Sequence, residues 1–217
     1  LTTAMLFAIG IISAVGTGGL GGLWLGTAAS DIYFHSSVFV VGHFHFMIGV
    51  VTSFGIFAAI YYWFPKMFGR HMNETLGKIH FWLTISSVFP AFIGMHYLGL
   101  GGALRRVYDP TYYEYVRPLQ EMNVWITFLL FVAIAGQLVF FVNLFRSLFW
   151  GTRAEANPWN GATLEWTTPS PAPHLNWNEP PTVYGGPYQY RVNGVGGYVA
   201  QHTPPEEIKC PVGPHEG

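Results

Sequence analysis

Charge is distributed so unevenly along this chain that the distribution decides the fold class. Asp, Glu, Lys and Arg are absent from residues 1–30, 32–65, 79–104 and 122–145. A helix rises ~1.5 Å per residue, so about 20 apolar residues cross ~30 Å of hydrocarbon. Each stretch is long enough. Lipid offers no partner to backbone N–H and C=O groups, and a helix satisfies them internally. Composition agrees: 51% of the 217 residues are hydrophobic and only 10% are charged, against roughly 25% charged in soluble domains. The expected fold is an all-α, polytopic membrane protein. Four transmembrane helices occupy residues 1–150, with histidines on the second, at 36–65, and an irregular Pro-rich aqueous tail follows at 151–217.

The remaining composition narrows the function classes. A net charge of -1 lacks the basic footprint that nucleic acid requires. The single cysteine, Cys210, excludes a disulfide framework, a cysteine zinc site and the Cys-x-x-Cys-His attachment of a c-type haem; it reads as a free cytosolic thiol. The run Gly16–Gly22 predicts either close helix packing or a break in the first span, and Pro90 predicts a kink in the third. Trp63 and Trp150 stand where interfacial aromatic belts are expected.

Lys66, Arg70, Lys78, Arg146 and Arg153 lie on one side of the spans, and Arg105, Arg106 and Arg117 on the other. The positive-inside rule puts the first group in the cytoplasm with the tail. The chain opens within an apolar run, without the basic segment or cleavage site of a signal peptide. A longer parent chain is therefore expected.

The second charge-free stretch, 32–65, carries His35, His43 and His45. Ionisable groups inside a membrane are costly, and by default they mark function. Residues i and i+2 of an α-helix are about 200° apart, so His43 and His45 should face opposite sides and serve separate sites. Imidazole is a usual axial ligand of haem iron, and a haem is large and apolar enough to fill a gap between helices. Gly42 would give a flat macrocycle access to the backbone. Arg105 and Arg106, at the end of the third span, read either as snorkelling arginines or as forks for haem propionates, which are carboxylates.

Phe39-Val40-Val41-Gly42-His43-Phe44-His45-Phe46 resembles the tenth-helix signature of subunit I of the haem–copper oxidases. So do Lys78-Ile79-His80-Phe81 and His96-Tyr97-Leu98-Gly99-Leu100 running into Arg105-Arg106. The tail stretch from Asn157 to Thr168 resembles the C-terminal segment of bacterial aa3/caa3-type cytochrome c oxidases. The resemblance extends to about Pro181 and corresponds to the last four of the family's twelve helices.

It implies roles residue by residue. His43 matches the ligand of the high-spin haem, haem a3, and His45 a ligand of the low-spin haem, haem a. Arg105 and Arg106 match the arginines that hold propionates, with Asp31 an acid nearby. His35 matches a magnesium ligand, but Ser36 stands where the family has Asp; a neutral hydroxyl serves a hard cation poorly, which puts magnesium in question. The copper-binding His-Pro-Glu-Val-Tyr and His-His segments do not occur in this chain, so copper B would be ligated outside it. His80 and His96 read as packing or hydrogen-bonding residues.

The implied activity is oxidation of cytochrome c coupled to reduction of oxygen to water and to proton pumping, in the bacterial inner membrane. The implied partners are the rest of subunit I, subunit II with its copper A centre, subunit III, cytochrome c, oxygen and membrane lipid. The alternatives are a quinol oxidase or nitric oxide reductase of the same superfamily, or a non-catalytic bracing membrane subunit.

Overall fold

A computed structural model describes residues 1–189 and 199–208. Cys210 and His215 lie outside the described residues. Helices α1 (Thr3–Gly26), α2 (Ala28–Phe34) and α3 (Val38–Phe44) are followed by a π-helical turn (His45–Val50) and by α4 (Val51–Phe68). Then come α5 (Glu74–Leu100), a 3-10 segment (Glu114–Leu119) and α6 (Gln120–Trp150). Short 3-10 turns at Leu164–Thr167 and Pro205–Glu207 complete the order. Four segments are long and apolar enough to cross a membrane: Thr3–Gly26, Val38–Phe68, Glu74–Leu100 and Glu114–Trp150. The described residues contain no strand, only two isolated β-bridges.

Side-chain oxygens begin three of the helices by accepting backbone N–H groups that have no intrahelical partner. Thr2 accepts from Met5 at 3.3 Å, Ser37 from Phe39 at 3.2 Å and Asn73 from Leu76 at 2.9 Å. The glycine run does not break α1, which is continuous to Gly26. It permits close packing instead. A Cβ on Gly10 would come 2.6 Å from Phe54, and one on Gly18 would come 2.2 Å from Phe46.

The chain divides into two compact units: residues 1–62 with 73–146, and residues 63–72 with 147–217. In the first, α3 packs on α5, and α1 packs on α3 and the π turn. Phe7 is fully buried and meets Phe54 and Phe81 edge-on at 5.2 and 5.1 Å.

In the second unit the tail is better ordered than its composition suggests. Its first part packs on residues 63–72 of its own chain. Lys66 is buried, and its ammonium donates to the carbonyls of Ala156, Trp166 and Thr168. Trp63 stacks on Trp166 at 5.0 Å, Arg70 bridges to Arg153 and donates to the Gly151 carbonyl at 2.7 Å, and His71 donates to Glu155 at 2.9 Å.

Candidate functional site

Both histidines of the pair sit where the second span changes geometry. The hydroxyl of Ser37 starts α3, and from His45 the backbone widens into the π turn. Such turns inside α-helices are frequent at functional sites. The Nδ1–H of His43 donates to the Gly18 carbonyl of α1 at 2.7 Å. A Cβ on Gly21 would lie 3.3 Å from that Nδ1, and one on Gly22 would lie 2.8 Å from Cε1. The glycine run is therefore what admits the His43 ring.

His45 is held differently. Its Nδ1–H donates to the Val41 carbonyl of its own helix at 2.8 Å, and its ring lies 5.1 Å from Phe92 of α5. Both imidazoles are half-buried. In each, a carbonyl fixes the proton on Nδ1 and leaves the Nε2 lone pair for another partner. Neither Nε2 has a partner among the described residues. The two rings, two residues apart in sequence, meet different helices.

The space beside Gly42 is not open to a flat macrocycle, as the sequence suggested. His96 fills it: a Cβ on Gly42 would come 2.6 Å from the His96 Nδ1. Among the described residues no three His, Cys, Asp or Glu side chains converge on one point. A metal taken by His43 or His45 would draw its other ligands from elsewhere.

At one end of the bundle, two loops bring together residues far apart in sequence. Ser37 bridges to Leu104, the Val38 N–H donates to Ala103 at 2.9 Å, and the Arg105 N–H donates to Ser36 at 3.0 Å. Ser36 and Arg106 have φ of 58° and 65°, a left-handed conformation that costs roughly 1–2 kcal/mol in a residue bearing a Cβ. Asp31, His35 and Ser36 thus share an end with Arg105 and Arg106. His35 Nδ1 lies 3.2 Å from Asp31 Oδ2, with the imidazole 71% exposed. Neither guanidinium of the arginine pair has a hydrogen-bond or ion-pair partner among the described residues.

His80 and His71 are accounted for locally. His80 is fully buried, accepts from the Tyr61 hydroxyl at 3.2 Å and donates to Gln137 Oε1 at 3.3 Å. His71 pairs with Glu155. Three features escaped the sequence reading: the π turn, the seat of His96 and the burial of Lys66. Gly21 and Gly42 were the available signal for the second, because a ring placed between helices needs backbone without side chains.

The family model for cytochrome c and quinol oxidase polypeptide I matches residues 1–136. The chain is similar to the alternative cytochrome c oxidase subunit 1 of Bradyrhizobium diazoefficiens, 41% identical over 94% of this chain and 35% of that protein. It is also similar to the cytochrome c oxidase subunit 1 of Synechocystis sp., 42% identical over 89% of this chain and 34% of that protein. It spans about a third of the length of these relatives. A chain in a cryo-EM structure of a heme-copper terminal oxidase dimer shares the fold, with a TM-score of 0.59 and 19% identity over 70% of this chain and 28% of that one. The chain belongs to the cytochrome c and quinol oxidase polypeptide I family, and with its four apolar helices it is an integral membrane protein.

Proposed function

We propose that this chain forms part of the catalytic subunit of a respiratory cytochrome c oxidase. In that reading His43 would hold the iron of the high-spin haem, haem a3, and His45 that of the low-spin haem, haem a. Arg105 and Arg106 hold propionates near Asp31. When bound, these haems, with a copper ion ligated by other parts of the subunit, supply electron transfer and oxygen reduction. The residues of this chain orient the imidazoles, present a lone pair at each Nε2 and offer two cations to carboxylates. Subunit II with a copper A centre, subunit III and cytochrome c are the proposed partners. Proton pumping in the bacterial inner membrane, with the 151–217 tail cytoplasmic, completes the proposal.

One observation carries the reading. Both imidazoles are tied at Nδ1 to separate backbone carbonyls and keep Nε2 without a partner among the described residues. This is the arrangement that prepares a histidine as a metal ligand, because the carbonyl fixes the tautomer and raises the basicity of the ligating nitrogen. His96 carries the same tether, to the Phe92 carbonyl, so the place of His43 and His45 within the oxidase signature is what separates them from a packing histidine. The test is a reduced-minus-oxidised spectrum, with the extracted haem type, of the assembled complex and its single His43→Ala and His45→Ala variants. Loss of a different haem signal in each variant supports the assignment. Retention of both signals in both variants overturns it, and absence of haem A in the parent complex favours a quinol oxidase.

A further inference from the structure

We infer that His96 is a positioning residue for His43, acting as the spacer that sets how α1 meets α3. The inference rests on the proposal that His43 ligates haem iron. The His96 Nδ1–H donates to the Phe92 carbonyl one turn back at 2.7 Å, which fixes the ring on α5. From there the ring occupies the junction of three helices. A Cβ on Gly42 of α3 would meet its Nδ1 at 2.6 Å, and one on Gly21 of α1 would meet its Nε2 at 3.1 Å. Two helices therefore carry glycine where this one side chain stands. Phe39 closes the seat edge-on at 4.6 Å, and Phe46 lies at 6.0 Å.

The same Gly21 position faces His43 Nδ1 at 3.3 Å, so the two histidines share one glycine surface. The Gly18–His43 hydrogen bond spans α1 and α3. Its length depends on how closely those helices approach, and the His96 ring is the object between them. Shrinking that ring leaves a void, and α1 and the His43 ring can shift part of the way into it, since packed interiors relax partly around a cavity. The hydrogen bond then loses alignment, and with it the basicity it lends to Nε2. His45 is tethered to Val41 on its own helix and meets this seat only through the Phe92 ring, 5.1 Å away, so it should respond far less.

The test uses the assembled oxidase carrying His96→Ala or His96→Phe, with resonance Raman of the reduced complex reading the iron–histidine stretch of the high-spin haem. The alanine variant is expected to move that band to lower frequency. Phenylalanine, which restores a flat ring, is expected to hold it near the parent value, and the low-spin haem spectrum is expected to stay put in both. Should the alanine variant not assemble, His96→Leu is read by the same criterion. An unmoved band in the smaller variant overturns the inference, as does an equal disturbance of the low-spin haem, which would mark general loosening. If the parent complex shows no iron–histidine band at all, the ligand assignment of His43 fails instead.

Discussion

Gly18 of α1 and His43 of α3 are joined by a 2.7 Å hydrogen bond from an imidazole N–H to a backbone carbonyl, 25 residues apart. The acceptor is a glycine because the opposite side of the same residue is occupied. Phe46, fully buried in the π turn, would lie 2.2 Å from a Cβ at Gly18.

Gly18→Ala is therefore expected to destabilise the protein despite the better helix propensity of alanine. Propensity offers up to ~1 kcal/mol, and forcing a methyl into a filled core costs about 1–3 kcal/mol. Gly16 has nothing within 4 Å of its Cβ position, so Gly16→Ala should be neutral or slightly stabilising. Thermal denaturation of the assembled complex, followed by haem absorbance, compares the two. Equal behaviour of both variants would remove the packing argument.

How much of this was legible beforehand depends on the range of the interaction involved. The spans were, because the cost of charge in lipid acts on each residue separately and leaves its mark in one stretch of sequence. The separate orientations of His43 and His45 also followed from helical periodicity alone. The π turn at His45 did not, because it reflects how Phe46 and Val50 pack in three dimensions. Lys66 counted as a cytoplasmic cation in the topology argument. Its burial depends on carbonyls of Ala156, Trp166 and Thr168, 90 to 102 residues away, and no local pattern announces them.

Replacing Arg105 and Arg106 together by Gln should shift the haem potential downward. A nearby cation favours the more negative, reduced iron, so removing two cations favours the oxidised form. Both guanidinium groups lack a protein partner among the described residues, so the substitution breaks no ion pair described here. Redox titration of the assembled complex reads the shift. An unchanged potential would leave snorkelling as the role of the pair.

Lys66→Met should loosen the tail while leaving the helices intact. The methionine fits the apolar stem but leaves three inward-facing carbonyls without their shared donor, and each such loss costs about 1–3 kcal/mol. Lys66→Arg should rescue only in part, because a planar fork does not match carbonyls gathered around one ammonium. Limited proteolysis of the assembled complex should cut residues 154–172 faster in the methionine variant. Equal cutting rates would show that Trp63 on Trp166, stacked at 5.0 Å, suffices to hold the segment.

The Glu155–His71 pair gives the tail contact a pH dependence of definite sign. The His71 hydrogen bond, with help from its own backbone N–H and from the His71 charge, holds the Glu155 carboxyl below its ordinary value of 4.5. A carboxylate depressed in the folded state stabilises above its unfolded pKa, and the contribution disappears as pH falls through the folded value. Protection of the His71 N–H, which donates to the Thr152 carbonyl at 2.8 Å, should fall in acid below about pH 4.5. In Glu155→Gln it should be lower near neutrality and should lack that acid step. Hydrogen exchange across the range checks this, and identical profiles would show the contact to be inert. Both side chains are partly or largely exposed, so the effect should also fade with salt.

His35 stands where the resemblance implies a magnesium ligand, beside Ser36. Magnesium is usually anchored by one or two carboxylates and keeps several waters. Ser36 brings only a hydroxyl, on a backbone at φ 58°. The carboxylate beside it is Asp31, whose Oδ2 already lies 3.2 Å from His35 Nδ1. An ion held here should therefore depend on Asp31, a partner-chain acid and water far more than on Ser36. Asp31→Asn should lower the magnesium retained by the assembled complex, and should lower the manganese signal in its EPR spectrum when that ion is substituted. Ser36→Ala should change neither. If Ser36→Ala empties the site and Asp31→Asn does not, the hydroxyl is a true ligand and the missing carboxylate has been replaced in function as well as in position.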